Sequence, residues 1–411
     1  MSEAAAPELQ PTRSPILWGA YLACSWTWCI GMFFPALLLR DMGWSGFLIF
    51  AIPNVLGAAA MGWFIRSKID SVRFVENHPT AIWWFSTITL IFHVFWILWI
   101  LNFIRIAFPI PDSYYAGAGA AAVAFSIVSS RAIRFGRAPQ LAIVLLVFSV
   151  AVLIASFALP DLNPSNKALI ESAPQSLSNT TDSLWMIPLM TFGFLLCPYL
   201  DITFHHARQE LDTGSDHGKN GRLGFTIGFV LFFSLMIILT TRYAGIMAWA
   251  LGGESFPDSK AITPWLGAAI LTHILCQWIF TVRVHLDRIK TIPGAQAKQP
   301  ILFGLALVAG LAGLGALKLP EHSGLAGGEL IYRTFLSFYG LLFPTYMLYR
   351  AVLARREKSL AIMWITIAIA SPVFWLGFME RQSIWLIPGM GIVLLGAWIV
   401  KLQKSQPSTQ L

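Results

Sequence analysis

Apolar runs of about 20 residues, almost free of charge, recur along the whole chain and constrain its fold more than any other feature. A bilayer core about 30 Å thick is spanned by roughly 20 apolar residues in a helix. Lipid offers the backbone no hydrogen bonds, so a spanning segment must bond its own N–H and C=O groups. We therefore predict an all-α membrane protein with about twelve transmembrane helices. The runs lie near 15–40, 44–66, 81–106, 114–131, 139–159, 184–206, 223–244, 262–284, 300–318, 328–350, 359–379 and 383–402.

The charge distribution predicts the orientation of the chain. Charged residues make up only 12% of it, against about 25% in soluble domains. The net charge of +8 lies mainly in short segments between apolar runs, without a basic arm, so we predict no nucleic-acid partner. With a cytoplasmic N-terminus, 20 of the 28 Lys and Arg residues fall on the cytoplasmic side. The positive-inside rule therefore predicts two cytoplasmic termini, and the short loops are typical of a bacterial inner membrane protein.

Composition indicates no separate soluble domain. Residues 1–13 are polar and lack the basic start and cleavage site of a signal peptide, so we predict a disordered cytoplasmic tail. The Pro/Ser/Asn-rich segment 160–182 is a predicted extracytoplasmic loop, and 405–411 a second cytoplasmic tail. The four cysteines lie within apolar runs, without the spacing of zinc ligands or of a disulfide framework. We predict no metal and no cofactor.

The first and sixth runs share a glycine followed by a proline in mid-membrane. Gly31 precedes Pro35, and Gly193 precedes Pro198. Proline removes one helical hydrogen bond, and glycine tolerates the backbone angles of an unwound stretch. Freed carbonyls can bind a cation, and a half-helix N-terminus can bind an anionic group. A simple kink at each proline is the alternative, since both residues are common in membrane helices.

The spacing of these two runs predicts an internal repeat. They are five runs apart, and an odd number of helices per repeat inserts the two copies in opposite orientations. The predicted inverted repeats of five helices cover 14–159 and 183–350, and two additional helices occupy 351–404.

The first break resembles a known family. Residues 29–39 and the Gly-rich turn at 43–49 are similar to the first helix and following turn of the amino acid–polyamine–organocation superfamily. The resemblance implies the leucine-transporter fold and a cation-coupled secondary transporter, not an enzyme, driven by Na⁺ or H⁺. Its solute would be an amino acid, an amine or a nucleobase.

The resemblance also implies a solute site at the membrane midplane. The broken first and sixth helices would form the site, and the third and eighth would complete it. The implied residues are Trp28, Cys29, Ile30, Gly31, Met32, Phe33, Phe192, Gly193, Phe194 and Cys197 at the breaks, with His93, His273 and Gln277 beside them.

Ionisable residues within the runs are further candidates, because a charge in the bilayer is costly and usually functional. Asp201 and His205 lie four residues apart, on one helix face, after Pro198. A carboxylate there could carry a proton or complete a cation site, so we predict ion coupling at Asp201 and His205. A structural Asp–His pair at the membrane boundary is the alternative.

Three other interpretations fit the composition. The major facilitator fold also has twelve helices, but its Gly-x-x-x-Asp-Arg loop motif does not occur between the second and third runs. A membrane-embedded enzyme would need a nucleophile with a base, a metal cluster or paired carboxylates, and the sequence carries no such motif. A sensor or scaffold that does not transport could use the same fold.

Overall fold

The computed structural model describes residues 14–158, 180–212, 214, 218–251, 262–353 and 357–405. These residues form a helical bundle, and within them the extended structure is limited to one bridge between His322 and Leu325. Residues 1–13 and 406–411 of the predicted tails and most of the predicted loop at 160–182 lie outside the described residues.

The chain up to residue 158 forms seven helices. Ser14 caps the first, where its hydroxyl accepts a hydrogen bond from the Leu17 N–H, and Pro15 occupies the first helical position. The seven helices are α1 (Pro15–Trp26), α2 (Cys29–Phe64), α3 (Lys68–Asn77), α4 (Pro79–Leu101), α5 (Ile104–Ala107), α6 (Asp112–Arg134) and α7 (Ala138–Ala158).

The rest of the chain is also helical, with several turns of other geometry. A 3₁₀ turn occupies Cys197–Leu200, and a π-helical segment occupies Ile227–Phe233. Two further π-helical segments occupy Phe338–Leu342 and Met347–Leu353. The helices are α8 (Thr180–Leu184), α9 (Ile187–Leu196), α10 (Ile202–Leu211), α11 (Lys219–Thr226), α12 (Ser234–Leu251), α13 (Pro264–Arg288), α14 (Gln299–Gly315), α15 (Gly327–Ser337), α16 (Phe343–Tyr346), α17 (Glu357–Phe378) and α18 (Leu386–Ser405).

Ten segments of the described residues are long and apolar enough to cross a membrane. The prediction of a multi-pass all-α membrane protein is thereby confirmed, while the count of twelve stays a prediction. Two features account for the difference between ten and twelve. The range of α2 covers parts of the runs at 15–40 and 44–66, which meet at a kink: Gly43, with φ 62° and ψ −154°, is not helical and separates two helices. The run at 328–350 is divided by π-helical segments.

Burial separates central from peripheral helices. In the most apolar stretch of α4, 78% of residues are buried, against 17% in that of α6. Large apolar side chains such as Ile127 on α6 and Leu307 on α14 are exposed. Lipid tails are as apolar as these side chains, so an outward apolar surface is what a helix beside lipid requires.

Two close helix contacts at the centre depend on glycine. A Cβ on Gly57 of α2 would lie 2.2 Å from the Phe194 carbonyl oxygen of α9. A Cβ on Gly228 would lie 2.8 Å from the carbonyl oxygen of Gly19 in α1. Small residues allow helix backbones to approach this closely. The close approach brings α9 against α2, and α1 against the 227–233 segment.

Candidate functional site

The chain leaves helical geometry at Thr27 and Trp28, between α1 and α2. Thr27 has φ −75° and ψ 68°, and Trp28 has φ −77° and ψ 178°. Of the predicted break at 28–33, only its first residue is therefore outside a helix. Pro35 does free the carbonyl of Gly31, as its sequence position requires. That oxygen accepts a hydrogen bond from Thr240 Oγ1 at 2.9 Å, so the helix continues through the proline.

His93 of α4 bonds the backbone at this break. Its Nε2 lies 3.3 Å from the Cys29 N–H, which donates to it, and its Nδ1 donates to the Thr89 carbonyl at 2.7 Å. These two contacts require the neutral imidazole with its proton on Nδ1. The predicted site residue His93 therefore stabilises the first turn of α2 by accepting a backbone hydrogen bond.

Two tyrosines bond carbonyls in the same turn. The Tyr332 hydroxyl of α15 donates to the Cys29 carbonyl at 3.0 Å, and the Tyr243 hydroxyl of α12 donates to the Met32 carbonyl at 2.9 Å. The Phe33 ring packs edge-on against Tyr332, with centroids 5.2 Å apart. Cys29, Met32 and Phe33, predicted as solute ligands, thus contribute to the packing around the break.

The second break lies between α9 and α10. The 3₁₀ turn at Cys197–Leu200 ends at Asp201, which is extended with φ −82° and ψ 112°. Asp201 caps α10: its Oδ1 accepts hydrogen bonds from the Thr203 N–H and hydroxyl, both at 2.7 Å. The predicted range 192–197 precedes this break, because α9 stays helical to Leu196 and unwinds only around Pro198.

The two breaks lie together at the centre of the bundle. Ser25 Oγ of α1 lies 3.3 Å from Thr203 Oγ1 of α10. A cavity of about 60 Å³, the break cavity, is lined by residues of both breaks. Trp26, Asn54 and Tyr339 line it without having been predicted. Six of the predicted site residues also line it: Trp28, Ile30, Gly31, Gly193, Phe194 and Cys197. Phe192 is outside this lining.

The other predicted residues of the eighth run bond different helices. His273 Nδ1 lies 2.9 Å from Ser149 Oγ of α7. Gln277 Nε2 lies 3.7 Å from Cys24 Sγ of α1. These side chains join α13 to α7 and α1 and do not line the break cavity. Among the described residues, no group of three His, Cys, Asp or Glu side chains is arranged to hold a metal ion.

The predicted pairing of Asp201 with His205 does not form. His205 Nε2 donates to the Tyr199 carbonyl at 2.9 Å, and its Nδ1 lies 2.9 Å from Ser71 Oγ of α3. Residues four apart share a helix face only where both are helical. Asp201 stands before the first turn of α10, so its carboxylate turns back to cap the helix.

His285 of α13 is the residue near Asp201 that the sequence did not single out. Its Nε2 lies 3.9 Å from Asp201 Oδ2, and both side chains are fully buried. The sequence does contain a pattern that indicates it, because polar residues recur every four positions on one face of α13: His273, Gln277, Thr281 and His285.

A second cavity, the Arg288 cavity, lies against α1, α10 and α13 and has a volume of about 150 Å³. Its lining includes Trp18, Tyr21, His206 and Arg288. The Arg288 guanidinium lies 3.3 Å from His206 Nδ1, and the His206 ring packs edge-on against Trp18 at 5.1 Å. This cavity is polar at its Arg288 end, in contrast to the break cavity.

Three buried charges and the half-buried Arg40 join α2 to α15. Arg40 donates to both oxygens of Glu329 at 2.9 and 2.7 Å and to Asp41 at 2.8 Å. Arg333 donates to Glu329 at 2.8 Å and also bonds Asp41. Two positive and two negative groups thus compensate one another, as buried charges require. The cluster fixes α15, and with it Tyr332, relative to the first break.

Comparison with known proteins yields no relative: no family model, no curated protein and no solved structure matches this chain. The geometry of the two breaks, the two cavities and the buried charges is therefore the basis for any functional assignment. A fold alone would not supply one, because one fold serves many functions.

Proposed function

We propose that this protein is a secondary transporter of a small organic solute, bound in the break cavity between the two interrupted helices. The observation that carries the proposal is the meeting of both breaks at one cavity. Interrupted membrane helices are tolerated where the freed backbone faces protein or a cavity, and in transporters such helices form the solute site.

We further propose the leucine-transporter fold, with inverted repeats of five helices followed by α17 and α18. Helix contacts support the repeat. The contact of α1 with the 227–233 segment corresponds to that of α9 with α2. The contact of α4 with α14 corresponds to that of α13 with α6. In the numbering of the twelve predicted spans, the first pair of contacts joins span 1 to span 7 and span 6 to span 2. The second pair joins span 3 to span 9 and span 8 to span 4. In each pair, adding or subtracting five converts one contact into the other.

The polarity of the side chains that line the break cavity indicates which class of solute it could bind. Its side chains are mainly apolar and aromatic, with Asn54 and Ser337 as polar groups. Among the described residues, no charged side chain lines it. A charged solute would lose its hydration there without a counter-charge. We propose a flat, uncharged solute such as a nucleobase, in preference to an amino acid or an amine.

The proposed location is a bacterial inner membrane, with both termini in the cytoplasm. The excess of Lys and Arg in one set of loops supports this orientation. It makes the end of the bundle with Arg40 and Glu329 extracytoplasmic and the end with Arg288 cytoplasmic. Phe378, which lines the break cavity, accepts a hydrogen bond from Arg333 through its carbonyl, so the break cavity would lie toward the outside and the Arg288 cavity toward the cytoplasm.

The test is solute-induced thermal stabilisation of the purified protein, followed by uptake into liposomes. The panel contains nucleobases, amines and amino acids. A solute at a hundred times its dissociation constant adds about 2.7 kcal/mol to the free energy of unfolding. We expect a nucleobase to stabilise the protein and to accumulate in liposomes under an ion gradient.

A matched pair of variants identifies the cavity as the binding site. Ser337→Phe fills the break cavity, while Thr334→Phe places the same ring on the exposed side of α15. Only Ser337→Phe should abolish stabilisation by the solute. If no solute stabilises a well-folded protein or enters liposomes, a sensor or scaffold function replaces the transporter proposal.

A further inference from the structure

We infer that Asp201 and His285 form a proton site between the two cavities, where one proton binds and is released during each transport cycle. The role of the pair in driving solute movement rests on the proposed function, whereas the pairing itself does not.

Both side chains have buried polar atoms without a hydrogen-bond partner among the described residues. Asp201 Oδ1 is bonded twice by Thr203, whereas Asp201 Oδ2 meets no hydrogen-bond donor among the described residues. Neither ring nitrogen of His285 meets a hydrogen-bond partner among them. Buried polar groups are nearly always paired, and each exception calls for an explanation. A proton on the Asp201 carboxylate, directed toward His285 Nε2 at 3.9 Å, would explain why these atoms have no other partner.

Burial gives the site two states of different energy. With one bound proton, the pair is a neutral carboxylic acid beside a neutral imidazole, or a carboxylate beside an imidazolium. Both arrangements have no net charge and suit a closed, buried site. Without the proton, a lone carboxylate is left, which is costly in a buried environment. Release of the proton to water is therefore linked to opening of the site.

The pair lies between the two cavities. The Trp28 ring, which lines the break cavity, packs edge-on against the His285 ring with centroids 5.7 Å apart. On the other side, Val284, which directly precedes His285, lines the Arg288 cavity together with Tyr21. Tyr21 lies one helical turn before Ser25, the α1 residue next to Thr203. Movement of Trp28 or of Tyr21 would expose the pair to one cavity at a time.

Neighbouring titratable groups are committed to other contacts. The imidazoles of His93 and His205 each have both nitrogens in hydrogen bonds. The Arg288 guanidinium bonds Asp287 one turn beyond His285. The titratable groups that face the pair are Tyr21 of α1 and Tyr339 of the 338–342 segment, beside Asp201, and His93 of α4, beside His285.

The chemistry of the pair favours a proton over Na⁺. Hard cations take several oxygen ligands, whereas the unbonded Asp201 oxygen lies 3.9 Å from an imidazole nitrogen. Imidazole is a proton acceptor with an unperturbed pKa near neutral pH. A carboxylate and an imidazole in contact can share one proton, which enters from water on one side and leaves to water on the other.

The experiment is infrared titration of the full chain in liposomes, following the carbonyl stretch of protonated carboxyl groups between about pH 5 and 9. We expect a band that titrates in the wild type and disappears in Asp201→Asn. His285→Gln should move its midpoint by about one pH unit. Asp70→Asn, at an exposed carboxyl of α3, should leave the band unchanged.

Two results would overturn the proton site. The first is a wild-type spectrum without a titrating band that depends on Asp201. The second is stabilisation by Na⁺ at constant pH that is lost in Asp201→Asn, which identifies a Na⁺ site. If Asp201→Asn does not fold, wild-type protein labelled with ¹³C-aspartate shows whether the titrating band belongs to an aspartate. A changed midpoint of that band in His285→Gln then assigns it to Asp201, and an unchanged midpoint overturns the proton site.

Solute measurements on the same samples separate the two proposals. If the proton site and the transporter function both hold, Asp201→Asn still binds the solute but its uptake no longer responds to a pH gradient. A titrating Asp201 in a protein that binds no solute would support the site and remove the transporter function. Solute uptake that ignores the pH gradient in the wild type would remove the driving role of the proton.

Discussion

The backbone groups exposed at the two helix breaks obtain their hydrogen bonds in different ways. At the first break, the exposed backbone groups are bonded by side chains from other helices, namely His93, Tyr332 and Tyr243. At the second, the chain caps itself, because Asp201 bonds Thr203 two residues later. The first break is thus held by tertiary contacts, and the second by its own sequence.

The prolines near the breaks show the same contrast. Pro35 frees the Gly31 carbonyl, which Thr240 of α12 then bonds at 2.9 Å. Pro198 lacks the N–H that would bond the Phe194 carbonyl, and that oxygen lies directly against Gly57 of α2. One freed carbonyl receives a hydroxyl donor, while the other is accommodated by the absence of a side chain.

The contrast indicates which break carries charge chemistry. The first has its hydrogen bonds satisfied, so its backbone is fixed. The second leaves one oxygen of a buried carboxylate without a donor among the described residues. The first break therefore shapes the cavity, and the second offers a group that can change its charge. The following predictions test this division of roles.

The largest expected effect is at the glycine that the second break requires. Gly57→Ala places a Cβ 2.2 Å from the Phe194 carbonyl, a backbone atom that cannot move away easily. Overpacking of this kind should lower the free energy of unfolding by about 3 kcal/mol. Gly31→Ala is the matched control, since its Cβ would meet no atom closer than 3.5 Å. Thermal unfolding in detergent measures both, and equal losses would contradict the assignment of the tight contact to Gly57.

A smaller effect is expected where a tertiary side chain supports the first break. His93→Leu removes the acceptor of the buried Cys29 N–H and should cost about 2 kcal/mol of stability. His93→Gln retains an acceptor near the same position and should recover part of the loss. Unfolding in detergent distinguishes them. If the two variants are equally stable, the backbone bond does not hold the break.

The tyrosine at the first break provides a test that links stability to binding. Tyr332→Phe removes the donor to the Cys29 carbonyl and should cost about 1 kcal/mol. Tyr349→Phe removes a similar bond, from its hydroxyl to the Val393 carbonyl at 3.0 Å in α18, away from the cavity. Both should lower the melting temperature to a similar extent. Only Tyr332→Phe should also weaken stabilisation by a bound solute.

The smallest expected change in stability is at the second break. Asparagine caps helices about as well as aspartate, so Asp201→Asn should alter the free energy of unfolding by less than about 0.5 kcal/mol. Asp201→Ala, which removes the cap, should cost about 1 kcal/mol. A large loss in Asp201→Asn would mean that the carboxylate is structural and would remove the contrast between the breaks.

Much of the candidate site could be predicted from the sequence where it depends on residues close together in the chain. The Gly–Pro pattern selected the two interrupted spans, and the position of Asp201 after Pro198 marked a buried carboxylate. Six of the residues implied by the resemblance line the break cavity. The first break itself carries no local signal, because Thr27 and Trp28 are neither glycine nor proline and their geometry depends on distant side chains.

The amino-acid sequence was enough to predict a multi-pass helical membrane protein, because spanning a bilayer depends on the length and hydropathy of each segment. It also placed Asp201, whose capping role involves only its own neighbours. Only the packed bundle shows that Asp201 lies near His285 and not His205, and that His93 bonds Cys29. These pairs join helices remote in sequence, and a hydrogen bond between helices depends on packing that no single segment contains.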